Sequence, residues 1–333
     1  MSPDTDSITD HAADHVEHRD ADHHDDADGV THDVIVVGGS WAGLAAALQL
    51  ARARKRVLVV DAGLPRNRFA HAAHGFLGQD GVSPLAILET AREQLLAYPT
   101  VELRIGEVTQ AQRRDGMFEL TMAPATTLRA RRLVLATGVT DELPDVPGLR
   151  ERWGATVLHC PYCHGFEVAD GRLGVLATGD MSIHQALLVA DWSADVTLFT
   201  NGVVSPDGEQ SDALVARGVR VEARAVAALV GELPSLAGVR LDDGEVVAID
   251  AVFTAPLMKI TSPLAEQLGC DFDDSPMGRV IRAGGRRETT VPGVFAAGDA
   301  ARVPHSVSLA VADGMMAGVS AHQSLVFASV DHR

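Results

Sequence analysis

Cys160 and Cys163, in the run Cys160-Pro161-Tyr162-Cys163 and followed at once by His164, are the residues of this chain best suited to chemistry. Thiols at that spacing can cycle between dithiol and disulfide. Only the thiolate reacts, and a thiol of ordinary pKa, about 8.5, is mostly protonated at neutral pH. A neighbouring base is therefore useful. His164 offers an imidazole that titrates near pH 6.5, able to take a thiol proton when neutral and to stabilise a thiolate when charged. His159, directly before Cys160, is a second candidate, with a turn cap or a solvent-facing role as its plainer reading. Three cysteines make one functional pair and one bystander, Cys270.

Other chemistries fit the pair less well. Cys-x-x-Cys-His is also a haem-attachment pattern, but covalent haem goes with export, and the chain opens without a basic segment leading into an apolar one. The expected location is cytoplasmic, where thiols stay reduced. A zinc site would need two further ligands, and Cys270 has no cysteine or histidine beside it; no metal is expected there. The net charge of -17 argues against nucleic acid and anionic membranes, which call for basic patches. No uncharged apolar run reaches the roughly 18 residues of a membrane span.

Much of the acidity is local. Residues 1–32 hold ten acids, one arginine and six histidines, among them His11, His15 and His18. That composition predicts a disordered tail, with metal binding by the histidines as the sharper alternative.

The elements that must position the thiols begin after the tail. Asp33 to Val37 reads as a strand, Gly38-Gly39-Ser40-Trp41-Ala42-Gly43 as a tight turn, and the alanine- and leucine-rich stretch beyond as a helix. A second strand, Val57 to Val60, ends in Asp61-Ala62, about 20 residues past the first glycine, which is the layout of a dinucleotide-binding fold. Gly38 permits the turn, Gly43 brings helix onto strand, the helix N-terminus faces the pyrophosphate, and Asp61 can accept from ribose hydroxyls. Ser40 stands in place of the middle glycine. Two further apolar segments end in glycine: Arg132 to Thr137-Gly138, and Gly293 to Gly298-Asp299.

In order along the chain, with the cysteine pair between the second and third, these segments resemble the low-molecular-weight thioredoxin reductase family over about residues 33–330. The resemblance implies an α/β, two-domain flavoprotein disulfide reductase fold. A discontinuous FAD-binding Rossmann-like domain (33–142 and 252–333) would hold an inserted, smaller NAD(P)-binding-like domain (143–251) that carries the cysteines. It implies a homodimer, Asp299 on the ribityl chain of FAD, and a helix from Ser306 and Val307 aimed at the flavin, where reduced flavin carries negative charge. Arg66-Asn67-Arg68 would reach the FAD phosphates or adenine, or lie on the surface. His74-Gly75-Phe76-Leu77 would line the substrate entrance, and His305 would face the flavin or cap a helix. Trp41, Trp153 and Trp192 read as packing residues, and Gly231 to Gly244 as a hairpin.

The inserted domain departs from that family. After the strand Leu173 to Leu176 the sequence is Ala177-Thr178-Gly179-Asp180-Met181-Ser182, which keeps one glycine of the nicotinamide fingerprint. The strand Asp195 to Phe199 runs into Thr200-Asn201-Gly202, and no arginine or lysine stands between Arg172 and Arg217. The clamp that would grip a 2'-phosphate by bidentate contacts is missing. With Cys160 to His164, these traits are similar to the dithiol oxidases of the gliotoxin and holomycin type. By that likeness electrons run from a small-molecule dithiol to the protein disulfide, to FAD and to O2, with Cys160 meeting substrate, Cys163 against the flavin, and His164 in place of the reductases' aspartate. NADPH-dependent disulfide reduction, and a non-catalytic flavin-based redox sensor or metabolite carrier, remain as the other readings. Without NADPH no domain rotation is required, so the thiol pair is expected to rest beside the flavin.

Overall fold

A computed structural model describes residues 31–327. The chain runs β1 (Thr31–Val37), α1 (Trp41–Arg52), β2 (Val57–Asp61), α2 (Pro84–Leu96), β3 (Val101–Ile105), β4 (Val108–Arg114), β5 (Met117–Met122), β6 (Thr126–Leu135) and β7 (Thr140–Glu142). Next come β8 (Val157–Leu158), α3 (Pro161–His164), β9 (Leu173–Leu176), α4 (Met181–Val189), β10 (Val196–Phe199), α5 (Gly208–Ala216) and β11 (Arg220–Glu222). The remainder is β12 (Val226–Val230), β13 (Gly238–Leu241), β14 (Val246–Val247), β15 (Ala251–Phe253), β16 (Leu257–Lys259), α6 (Leu264–Gln267), β17 (Phe272–Ser275), β18 (Gly278–Ile281), β19 (Val294–Ala296) and α7 (Val307–Phe327).

Two sheets organise these elements, the larger mixed, with β5 antiparallel to both β4 and β6, and the smaller parallel. The larger is ordered β3-β2-β1-β6-β5-β4, and β19 joins it parallel to the C-terminal half of β6. Val34 to Val37 and Val57 to Val60 are buried, and strands covered on both faces need such unbroken apolar runs. The smaller sheet, β11-β10-β9-β15-β8, is parallel throughout. The chain passes from the first sheet to the second through β7 and returns through β16, and these two strands pair with each other antiparallel. Helix α7 packs on α1 at backbone distance, because a Cβ on Gly314 would lie 2.0 Å from the Ala42 carbonyl oxygen and one on Gly318 2.4 Å from that of Ala46. Among the described residues, no helix is long and apolar enough to cross a membrane.

Two expectations need correction. Thr31 and His32 belong to β1, pairing with Arg129 and Ala130 of β6, and His32 is buried; the remainder of the expected tail, residues 1–30, lies outside the described residues. The return to the first sheet comes after Phe253 rather than at residue 252, since β15 is hydrogen-bonded between β9 and β8 and apolar on both faces. The expected hairpin is present as the antiparallel pair β13–β14, and β12 on the other side of β13 extends it to a three-stranded meander.

Candidate active site

One cleft, of about 240 Å³, follows the first fingerprint. Gly38 holds φ +104°, and a Cβ there would lie 2.1 Å from the Ala136 carbonyl oxygen, while one on Gly43 would lie 1.7 Å from that of Gly38. Turn, strand and helix close on one another only with glycine at both positions. Ser40 is the N-cap of α1 but its side chain makes no capping bond, which leaves the first N–H groups of the helix available to an anion. Gly39, Ser40, Trp41, Ala42, Asp61 and Ala62 line one side of the cleft, and Thr137, Gly138, Gly298 and Asp299 another. The Asp61 carboxylate accepts from Gly39 N at 3.1 Å and from Arg92 Nη2 at 2.8 Å, and its remaining lone pairs can still accept. Thr137 Oγ1 is buried with no partner among the described residues. An uncapped helix end, glycine walls and an orphan hydroxyl fit the dinucleotide expected from the sequence.

A second cavity, of about 210 Å³, adjoins this cleft, sharing Trp41, Arg66, Asp299 and Ala310 with it. Cys160, Cys163, His159 and His164 stand in its wall together with Ser306 and Val307 at the start of α7. The thiols thus stand in a cavity that shares part of its wall with the fingerprint cleft. Cys160 and Cys163 form a disulfide, with 5.3 Å between their Cα atoms. Cys160 is the extended N-cap of α3, and Pro161 takes the first helical position, where its missing N–H and fixed φ suit the helix. Gly165 ends the turn against the Trp192 indole, which a Cβ would meet at 2.8 Å, and Trp192 in turn packs edge-on to Tyr162. The pair is mounted on a braced turn. Cys270, by contrast, is buried and free, and burial raises its thiol above the ordinary range.

The cavity holds a charged knot at its junction with the cleft. Arg66 donates through Nε and Nη2 to the two oxygens of Asp141, at 3.0 and 2.5 Å, and through Nη1 to Asp299 Oδ2 at 2.8 Å. Burial opposes the guanidinium charge, but the bonds to Asp141 and Asp299 outweigh it, so Arg66 stays charged. Its fork is turned to these carboxylates, and Asn67 accepts from Trp41 Nε1 at 3.3 Å; Arg66 lines both cavities and Asn67 the thiol cavity. Arg66 Nη1 also meets His305 Nδ1 at 2.7 Å. A guanidinium only donates, so that nitrogen accepts and a neutral His305 carries its proton on Nε2, which is buried with no partner among the described residues.

Burial sets the protonation of the histidines. His159 is pushed down to about 4, by desolvation first and then by Arg66. His164 and His305 are also lowered, chiefly by burial, with Glu167 pulling His164 back and His74 pushing the same way as burial. Imidazoles shifted in this direction are neutral at pH 7 and can accept a proton. His74 also lines the cavity, with Nε2 3.4 Å from Glu167 Oε1.

The second nucleotide position, at the ends of β9 and β10, is differently built. The Thr178 N–H, which would otherwise face a pyrophosphate, donates to Ser182 Oγ at 3.0 Å. Asp180 occupies the N-cap of α4, so an acid stands where the helix would meet phosphate. Past β10, the Asn201 side chain accepts from Val226 N. Arg224, just beyond β11, gives its whole fork to Glu222, Asp243 and Glu245.

Several participants escaped the sequence reading. Asp141, Arg92 and Glu167 are ordinary charged residues, and no local pattern marks them. Trp41 and Trp153, read as packing residues, line the thiol cavity; Trp41 at least sat inside the fingerprint.

Comparison with known proteins agrees with this geometry. A family model described as pyridine nucleotide-disulphide oxidoreductase matches residues 32–314. Thioredoxin reductase tcpT of Claviceps purpurea is 35% identical over 88% of this chain and 94% of its own, and thioredoxin reductase aclD of Aspergillus oryzae 32% identical over 89% and 96%. Among solved structures, an oxidoreductase from Agrobacterium tumefaciens is 50% identical with a TM-score of 0.86, covering 90% of this chain and 99% of that one. The structure of HlmI is 41% identical with a TM-score of 0.86, covering 91% and 96%.

Proposed function

The chain belongs to the pyridine nucleotide-disulphide oxidoreductase family, and from that premise we propose that it is a dithiol oxidase, closing a disulfide in a small-molecule dithiol with O2 as electron acceptor. It has the thioredoxin reductase-type flavoprotein fold, and its cofactor is FAD. One observation supports the choice of oxidase: at the nicotinamide position Asp180 is the N-cap of α4, the Thr178 N–H is bonded to Ser182, and Arg224 is already committed to three carboxylates. The thiol pair in the wall of the flavin-side cavity supports the same reading. Residues 31–142 with 254–333 would form the FAD domain and 143–253 the inserted one, in a homodimer.

The side chains divide the work. A substrate thiol gives its proton to neutral His164, and its thiolate attacks Cys160 Sγ, breaking the Cys160–Cys163 bond and releasing Cys163 as thiolate. Once His164 has released that proton to solvent it takes the proton of the second substrate thiol, whose thiolate attacks the substrate sulfur of the mixed disulfide, so the substrate leaves oxidised and Cys160 leaves as thiolate. FAD, when bound, would supply the two-electron oxidation that restores the protein disulfide, with O2 as the final acceptor and hydrogen peroxide as the product. The balance is one dithiol and one O2 to one disulfide and one peroxide. Asp299 and the N-terminus of α7 would hold the flavin end of the cofactor, and Gly38 to Gly43 with Asp61 the other end.

The relatives named thioredoxin reductase favour a second reading, NADPH-dependent disulfide reduction. The deciding experiment compares NADPH-driven with oxygen-driven turnover of the FAD-loaded protein, using small dithiols and thioredoxin. Anaerobic dithiothreitol should bleach the flavin absorbance, air should restore it with release of peroxide, and Cys163→Ser should abolish both. Rapid NADPH oxidation would overturn the oxidase reading.

A further inference from the structure

Arg66 connects two parts of the molecule that the covalent chain joins only through β7 and β16. It lies in the loop after β2, on the cofactor side, and Asp299, which shares its Nη1, follows β19 in the same sheet. Asp141 is the middle residue of β7, and its side chain is only 8% exposed. The crossing itself is slight: three residues pair with three, and a two-stranded ribbon of that size does not hold its own orientation in water. On the β16 side it is anchored by Met258, whose N–H donates to the Met277 carbonyl at 2.7 Å and whose side chain packs with Val139 and Val280. On the β7 side the polar anchor is the bidentate Arg66–Asp141 pair, a planar fork that fixes direction as well as distance.

We infer that Arg66 is a positioning residue: by binding Asp141 of the linker strand to Asp299 at the cofactor cleft, it holds the Cys160–Cys163 pair at the flavin-side cavity. The inference rests on the reading that the pair works in place, and it assigns that fixed placement a cause. Without Arg66, Asp141 and Asp299 would face each other as two carboxylates with no cation between them, and their repulsion would drive the linker away from the cleft. Lysine restores the charge but not the fork.

The test separates opening of the protein disulfide from electron transfer to the flavin. FAD-loaded wild type, Arg66→Met, Arg66→Lys and Asp141→Asn are mixed anaerobically with dithiothreitol, and newly exposed thiols and flavin bleaching are followed in parallel. Thiol exposure should proceed at the wild-type rate in all four, because Cys160 remains accessible. Bleaching should slow by roughly ten- to hundredfold in Arg66→Met and Asp141→Asn, the scale expected for a displacement of about 1 Å, and by less in Arg66→Lys. Bleaching at the wild-type rate in both strong variants would overturn the inference. Asp141→Asn keeps the Arg66–Asp299 pair and serves as the test should Arg66→Met fail to fold or to load FAD. If no dithiol bleaches even the wild type, the oxidase reading falls on its own. The placement is then judged by backbone hydrogen exchange at 140–142 and 257–259, which should accelerate by about tenfold in the variants while 34–37 stays unchanged; unaltered exchange in the linker would refute it.

Discussion

Gly314→Ala adds one methyl group in the middle of a helix and should nevertheless destabilise the protein. Alanine is the better helix former by about 1 kcal/mol, so on local grounds the variant ought to gain. The added Cβ, however, would lie 2.0 Å from the Ala42 carbonyl oxygen and 2.8 Å from the Ala42 Cα. Ordinary non-bonded contacts need roughly 3.5 Å, and the obstacle is backbone, which no rotamer change can relieve. Helices α1 and α7 must separate by about 1 Å or more, at the upper part of the 1–3 kcal/mol typical of overpacking. The net loss is then about 1–2 kcal/mol, a fall in Tm of roughly 1–3 °C for a chain of this size. Ala42 lies in the first turn of α1, at the cofactor cleft, so the same separation should weaken FAD retention on gel filtration. Gly208→Ala is the control: Gly208 opens α5, and a Cβ there would meet no atom within 4 Å, so Tm should hold or rise. A Gly314→Ala protein that melts at or above wild type with its FAD intact would refute the backbone-contact argument.

Two predictions concern pH. His164→Asn should lower kcat/KM for the dithiol by about 10²–10⁴-fold. Burial holds the His164 pKa below its ordinary value, so the wild-type rate should fall only below about pH 6.5, and a variant that retained this acid limb would remove His164 as the base. His159 titrates at about 4 in the folded protein against about 6.5 when unfolded. Between these values the unfolded chain takes up a proton that the folded one refuses, so stability is lost as pH falls across that window. His159→Gln should flatten the dependence of the denaturation midpoint on pH from 6.5 to 4 by the equivalent of one proton, and parallel profiles would contradict the assignment.

What the sequence disclosed and what it hid divide along physical lines. The turn at Gly38 to Gly43, the strands on either side, Asp61 and the Gly298-Asp299 segment were legible because each is a local requirement: a positive φ, a close approach, an apolar run. The altered nicotinamide position was legible for the same reason, as glycines and cations absent from a short stretch, and the Thr178–Ser182 and Arg224 contacts supply its mechanism. Arg66 and Asp141 were not legible as a pair. They are 75 residues apart, each is a common loop or strand residue, and only the folding of β7 back over the end of the first sheet brings them together. The exit of β15 was misplaced by two residues because apolar strands of both sheets look alike in sequence. His32 was grouped with the tail by its neighbours' composition, although its pairing to β6 makes it a strand residue.

The pairing of β19 with β6 sets an order of events during synthesis. Leu133 and Val294 are partners in the first sheet, yet the entire second sheet lies between them in the chain. While that segment emerges from the ribosome, the C-terminal half of β6 presents an unpaired apolar edge, the kind of surface that recruits other strands. The insertion, with its short-range β9-α4-β10 contacts, is free to fold first, and the entropy of closing so long a loop grows only slowly with its length. The cleft has walls from both ends of the described chain, Gly38 to Asp61 and Gly298 to Asp299, so cofactor capture belongs to the last stage of folding. FAD availability should therefore govern how much newly made protein reaches the native state rather than aggregating.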